Sequence, residues 1–198
     1  MVQRMKTLTK YLNEKLVVNK DYKNPYTYAP TSFNELRKII EDKYDKLGPG
    51  TKDTSIDFND VDVSNIDSFR DKYKGIFEGT KFEYIDISDW DVSNIESMQD
   101  MFNDCKQLKS VGDLSNWDVS KVKNMNAAFG NCEQLVSIGD LSSWNVSNAE
   151  HISFMFYNCK LLKSVGDLSN WDISNVINMC FMFCDSGIIN TPKWYKNN

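Results

Sequence analysis

Hydrophobic positions along this chain return on a fixed beat. Tryptophan stands at 90, 117, 144 and 171, and phenylalanine at 102, 129, 156 and 183, each series stepping by 27 residues. Between these landmarks the spacing changes character. Met125, Ala128, Phe129 and Cys132 fall at i, i+3, i+4 and i+7, which predicts one face of a two-turn helix. Met98, Met101, Phe102 and Cys105 hold the same places one unit earlier, and Ile152, Met155, Phe156 and Cys159 one unit later. Leu108, Val111, Leu114, Trp117 and Val119 follow, mirrored by Leu135, Ile138, Leu141, Trp144 and Val146. They predict a short strand over 108–114, bent at Gly112 and paired in parallel with its copies. The Asp91–Asn94 run and its near copy Asp172–Asn175 carry side chains that bond nearby backbone and close a corner. A two-turn helix is unstable alone, so each unit depends on burial against its neighbours. A period of this length therefore predicts a solenoid.

The flanks depart from the beat. Leu8, Tyr11, Leu12 and Leu16 share one face of a helix predicted over 7–18. A second helix is better marked, with Ser32 and Glu35 as a capping box, a stripe of Phe33, Leu36, Ile40, Tyr44 and Leu47, and Gly48-Pro49-Gly50 as its stop. Both are expected to cover the open end of the array, the alternative being a partner-binding or membrane-surface module. The first repeat is worn: Val61–Ile66 aligns with Trp90–Ile95, and Arg70–Gly75 carries about four extra residues, an insertion of the kind that maps to a loop. After Phe183 the pattern is lost, and Pro192 stops further pairing. Trp194 and Tyr195 are expected to lie across that end. The organisation read from this is an N-terminal helical cap at 1–53, then about five 27-residue units with a C-terminal capping tail at 54–198.

The run W-D-V-S-N-V with its following M, M-F, C and L resembles the bacterial surface-protein repeat of 26 to 27 residues, related to the BspA-type leucine-rich repeats. The resemblance covers about residues 54–190. With the spacing above, the fold expected is α/β, a leucine-rich-repeat-like solenoid of short parallel strands and short helices with an N-terminal helical cap; the resemblance implies the solenoid. It also implies a non-catalytic protein, often displayed on cell surfaces and linked to adhesion.

Composition adjusts this picture. The 198 residues are 41% apolar and 26% charged with net charge −5, an ordinary globular balance. The net acidity argues against nucleic acid as a main partner, although the charge is uneven: residues 1–50 carry +4 and the remainder −9. No apolar run approaches the length of a membrane span, so no membrane insertion is expected. The first residues have no apolar h-region, and no cysteine sits where a lipoprotein signal needs one. A cytoplasmic location is the expectation, with a virion or surface location by another route as the alternative. Cys105, Cys132 and Cys159 form one column, read as buried hydrophobes rather than a disulfide or metal ladder. Cys180 and Cys184 make at most a pair for zinc, with His151 a distant third, fewer than the usual four ligands.

Candidate chemistry is sparse. Asp86, Asp113, Asp140 and Asp167 recur at one place, as do Asp91, Asp118, Asn145 and Asp172. They are read as turn closers, against the alternatives of a calcium column or paired acid–base carboxylates. The columns that vary are more informative, because the fold does not dictate them. One reads Asp100, Ala127, Phe154, Phe181 and its neighbour Asn103, Gly130, Tyr157, Cys184, both turning apolar toward the C-terminus. Phe154, Tyr157 and Phe181 are therefore the candidate partner-binding residues. No catalytic, cofactor or metal residue is assigned. The function expected is a non-enzymatic protein-interaction module, monomeric, with a protein partner. The alternative is a structural or adhesin-like component of a cell surface or virus particle.

Overall fold

The computed structural model describes residues 26–196. The helix expected over 7–18 lies outside them. Among the described residues one α-helix, α1 (Phe33–Leu47), precedes a stack of rungs that from Trp90 onward repeat every 27 residues. Regular strands are few: β1 (Ile56–Asp57) pairs in parallel with β2 (Ile85–Asp86). Beyond them the rungs are joined by single parallel bridges, Tyr84 to Ser110 to Ser137 on one line and Ser68 to Ser97 to Asn124 to His151 to Asn178 on another. A 3₁₀ turn at Leu168–Asn170 completes the regular elements among the described residues. The class is mixed α/β, with little of either.

The two-turn helices expected in each repeat are absent, and hydrogen bonding explains why. A helix needs every N–H for its own i−4 carbonyl. Here the N–H groups of Met98, Asp100, Phe102 and Asp104 donate instead to Asn124, Asn126, Ala128 and Gly130 of the next rung. The intervening Met101, Asn103 and Cys105 close four-residue turns onto Met98, Asp100 and Phe102. Two left-handed residues per rung make this path possible: Ala127 and Asn131 have φ of 48° and 59°, and Phe154 and Asn158 have 56° and 57°. The same residues point inward as in the predicted helix, since Met125, Ala128, Phe129 and Cys132 are all fully buried. The predicted strand over 108–114 likewise shrinks to one bridging residue, Ser110, followed by Gly112 at φ 88°.

The core is a set of ladders running along the stack. The Trp117, Trp144 and Trp171 rings stack at 6.5 Å and within 3° of parallel, and each indole N–H donates to a carbonyl one rung back, Trp144 to Leu114 at 2.9 Å. Phe77, Phe102, Phe129, Phe156 and Phe183 stack at 5.0–5.9 Å. Such offset stacking adds to area burial. The tail continues the indole ladder, because Trp194 stacks on Trp171 at 6.4 Å and donates to Leu168 at 2.9 Å.

At the other end α1 buries Leu36, Ile39 and Ile40 in the same core. Ser32 caps it through the Glu35 N–H, while the Glu35 carboxylate turns to Thr31 N–H at 2.7 Å and its hydroxyl at 3.0 Å. Leu47, counted in the predicted stripe, is exposed. Arg37 donates to the carbonyls of Gly75 at 2.9 Å and Ile76 at 3.3 Å, and Lys43 to that of Asp57 at 2.5 Å. Tyr28 bridges to Val61, the position held by tryptophan in later rungs.

Candidate interaction face

Phe154 and Phe181 occupy the same place in consecutive rungs. Their neighbours Ile152, Met155 and Phe156 are fully buried, so the backbone turns these two outward. They stay 39% and 46% exposed. The rings stack at 5.3 Å and 24°, and Tyr157, half-buried, meets Phe154 edge-on at 5.6 Å. All three candidate residues are thus brought together. The tail does not lie over them: Trp194 is engaged with Trp171, Ile188 is buried and Ile189 is exposed.

The backbone under both phenylalanines is left-handed, with φ of 56° and 55°. That region costs a residue bearing a Cβ about 1–2 kcal/mol and is unusual for a bulky one. The same position one and two rungs earlier holds Ala127 and Asp100, and Asp100 is ion-paired with Arg70. At one edge of the face the Asn126 carboxamide oxygen accepts from the N–H and hydroxyl of buried Ser153 at 2.9 and 2.7 Å. The face therefore grades from an ion pair to an aromatic cluster. Sequence spacing found its side chains and missed its strained backbone.

The aspartate columns are turn closers. Asp86, Asp113, Asp140 and Asp167 accept from the N–H of Ser88, Ser115, Ser142 and Ser169 at 2.9–3.0 Å. Asp91, Asp118, Asn145 and Asp172 do the same for Ser93, Ser120, Ser147 and Ser174. The hydroxyl and N–H of the following serine hold the Asp113, Asp118, Asp167 and Asp172 carboxyls below the usual range. Asp140 is lowered by the N–H and hydroxyl of Ser142, against the opposing charges of Asp113 and Asp167.

All five cysteines are free. The thiols of Cys105, Cys132 and Cys159 each donate to a phenylalanine carbonyl one rung back, at 3.0–3.1 Å. Burial pushes the Cys159 thiol up to about 12 and raises that of Cys132. Among the described residues no group of three or more His, Cys, Asp or Glu side chains is disposed to hold a metal ion. No helix among them is long and apolar enough to cross a membrane. A cleft of about 580 Å³ opens between α1 and the first rung, lined in part by Tyr28, Ile39, Leu47, Pro49 and Ile56. Its Lys43 is already tied to Asp57 and Asp60.

Comparison with curated proteins found no match. Among solved structures, a leucine-rich repeat protein from Eubacterium ventriosum is similar at 18% identity and a TM-score of 0.37. The match covers 61% of this chain, which spans 35% of the length of that protein. A family described as "Mycoplasma protein of unknown function, DUF285" matches residues 71–194, well over half of the chain, and the protein belongs to that family.

Proposed function

We propose that the protein is a non-enzymatic interaction module, a leucine-rich-repeat-like solenoid of the BspA-type kind, presenting Phe154, Tyr157 and Phe181 to a protein partner. The observation that carries the reading is the pair of phenylalanines, stacked and half-exposed on backbone that disfavours them. The left-handed turn recurs in each rung from Asp100 onward, so the fold dictates the turn but not the phenylalanines that replace the aspartate and alanine of earlier rungs. Contiguous exposed aromatics mark interaction sites. On this reading the protein is a cytoplasmic monomer that neither inserts into membranes nor binds nucleic acid. Its recurring aspartates are each spent on a turn, which supports a scaffold over an enzyme.

The test is a Phe154→Ser, Phe181→Asp double variant. Both residues should tolerate replacement, because serine and aspartate suit left-handed backbone at least as well as phenylalanine. The melt should stay within about 1 kcal/mol of the parent, while a partner recovered by pull-down with the parent protein is lost. A large fall in stability would make the cluster part of the core and remove the proposed face.

A further inference from the structure

Bonds between rungs run in both directions, divided by segment: the carbonyls of Glu96, Lys123 and Glu150 accept from the Lys123, Glu150 and Ile177 N–H groups of the rung that follows. In the segment after these, alternate N–H groups donate to carbonyls of the rung that follows: Ile152, Phe154, Phe156 and Asn158 to Asn178, Cys180, Met182 and Cys184 at 2.9–3.0 Å. The equivalent donors in the last rung are Met179, Phe181, Phe183 and Asp185, and none has a backbone acceptor among the described residues. The Tyr195 ring lies edge-on to buried Phe183 at 5.0 Å, which puts that position under the tail. Met179, Phe181 and Asp185 are left, beside the exposed Phe181 ring. The opposite end is closed, since Arg37 holds the Gly75 and Ile76 carbonyls and Lys43 that of Asp57.

We propose that this open edge docks an extended segment of a partner protein, which adds as one further rung. Its main-chain carbonyls accept from the Met179, Phe181 and Asp185 N–H groups, and an aromatic or long apolar side chain stacks on Phe181. The proposal rests on the interaction-module reading and names how the partner binds. Its ground is continuity: the donors stand at alternate residues, the register at which a polypeptide meets each of the earlier rungs, and the Phe154–Phe181 stack ends in an open ring face. Adding a strand to an unpaired edge is a known mode of peptide recognition, with backbone bonds giving affinity and side-chain contacts giving selectivity. The segment should carry glycine, asparagine or aspartate at its left-handed positions, as the rungs here do at Asp104, Asn131, Asn158 and Asp185. It should be neutral or basic, because residues 51–198 carry −9. A second copy fits poorly. The first-rung carbonyls that would have to meet these donors are held by Arg37 and Lys43 of α1 in every copy.

The probe is a synthetic peptide copying residues 149–160, with a scrambled peptide as control. Amide hydrogen exchange of the full chain is followed at Met179, Phe181 and Asp185. The peptide should slow exchange at these three amides by about tenfold or more, saturably and at one peptide per chain, and the scrambled peptide should not. Unchanged exchange overturns the edge proposal. Protection that grows with protein concentration without peptide overturns it in favour of self-association. The two readings separate cleanly. If the Phe154→Ser, Phe181→Asp variant loses its pulled-down partner while the peptide leaves these amides unprotected in the parent, the face stands and the edge fails. If the amides are protected and the variant keeps its partner, the edge stands and the aromatic face fails.

Discussion

Left-handed backbone at eight residues bearing a Cβ, among the described residues, sets the character of this fold. Ala127, at φ 48°, offers the sharpest check on it. In a helix Ala→Gly costs about 1 kcal/mol. In left-handed backbone glycine relieves strain that offsets its greater entropy loss. Ala127→Gly should therefore leave the denaturant midpoint unchanged or raise stability by up to about 1 kcal/mol; a clear loss would restore the helix. Asp104, Asn131, Asn158 and Asp185 are residue types that tolerate this region, so their recurrence was a legible turn signal. Phe154 and Phe181 gave no such signal, because nothing in their chemistry favours positive φ. The cysteines allow a second check. Cys180 is exposed, whereas Cys105, Cys132 and Cys159 are buried with raised or carbonyl-bound thiols. Thiol titration of the native protein should show fast reaction at Cys180, partial reaction at Cys184, and three thiols that react only with denaturant. Reaction of all five at one fast rate would mean that the column is not packed.

Apolar spacing alone could not tell the turns of each rung from a helix. Positions i, i+3, i+4 and i+7 face inward in both, and what differs is the destination of the N–H groups, which is a property of the stack rather than of the segment. The burial list was therefore legible where the conformation was not. The short strand failed for a related reason: pairing in this family of turns is carried by single residues such as Ser110 and Asn124. By contrast the bounds and cap of α1 were readable, because cap and glycine stop are local, while its stripe gained Ile39 and lost Leu47. What the sequence could not reveal about α1 is its closing of the carbonyl edge. Arg37 reaches two carbonyls of the first rung and an ion pair with Glu41 at 3.1 Å. Removing it should cost about 1–3 kcal/mol, as expected for charged hydrogen bonds to partly buried groups. A chemical melt of Arg37→Ala tests this, with Glu41→Ala as the control for the exposed ion pair, expected to cost under about 1 kcal/mol. Equal effects would assign the stabilisation to the helix surface instead of the capped edge.

Across the whole molecule the same small interactions recur in every rung, so perturbations that reach them all should act together. The turn-closing carboxyls of Asp113, Asp118, Asp140, Asp167 and Asp172 lie below their ordinary values, chiefly through the serine that follows each. A folded-state value below the unfolded one contributes stability that is present above about pH 4 and lost as pH falls through the folded value. The melting temperature should be flat around neutral pH and decline below about pH 4; a protein equally stable at acid pH would show that these turns do not depend on charged aspartate. The indole ladder carries a stronger statement about cooperativity. Trp144 stacks on Trp117 and Trp171 at 6.5 Å and bonds Leu114 at 2.9 Å, whereas Trp194 has one indole neighbour, Trp171, and remains partly exposed. Repeat arrays are stabilised by nearest-neighbour terms. Trp144→Ala should then cost about 3–5 kcal/mol, and Trp194→Ala about half as much, since only one interface is lost. The position of the damage should also change the shape of the transition. An array broken at Trp144 divides into a part carrying α1 and a C-terminal part covered by Trp194, so its melt should broaden or split, while Trp194→Ala should only shift the midpoint. Near-neutral Trp144→Ala would mean the column is not a core, and equal costs at both positions would mean that the rungs are not coupled through it.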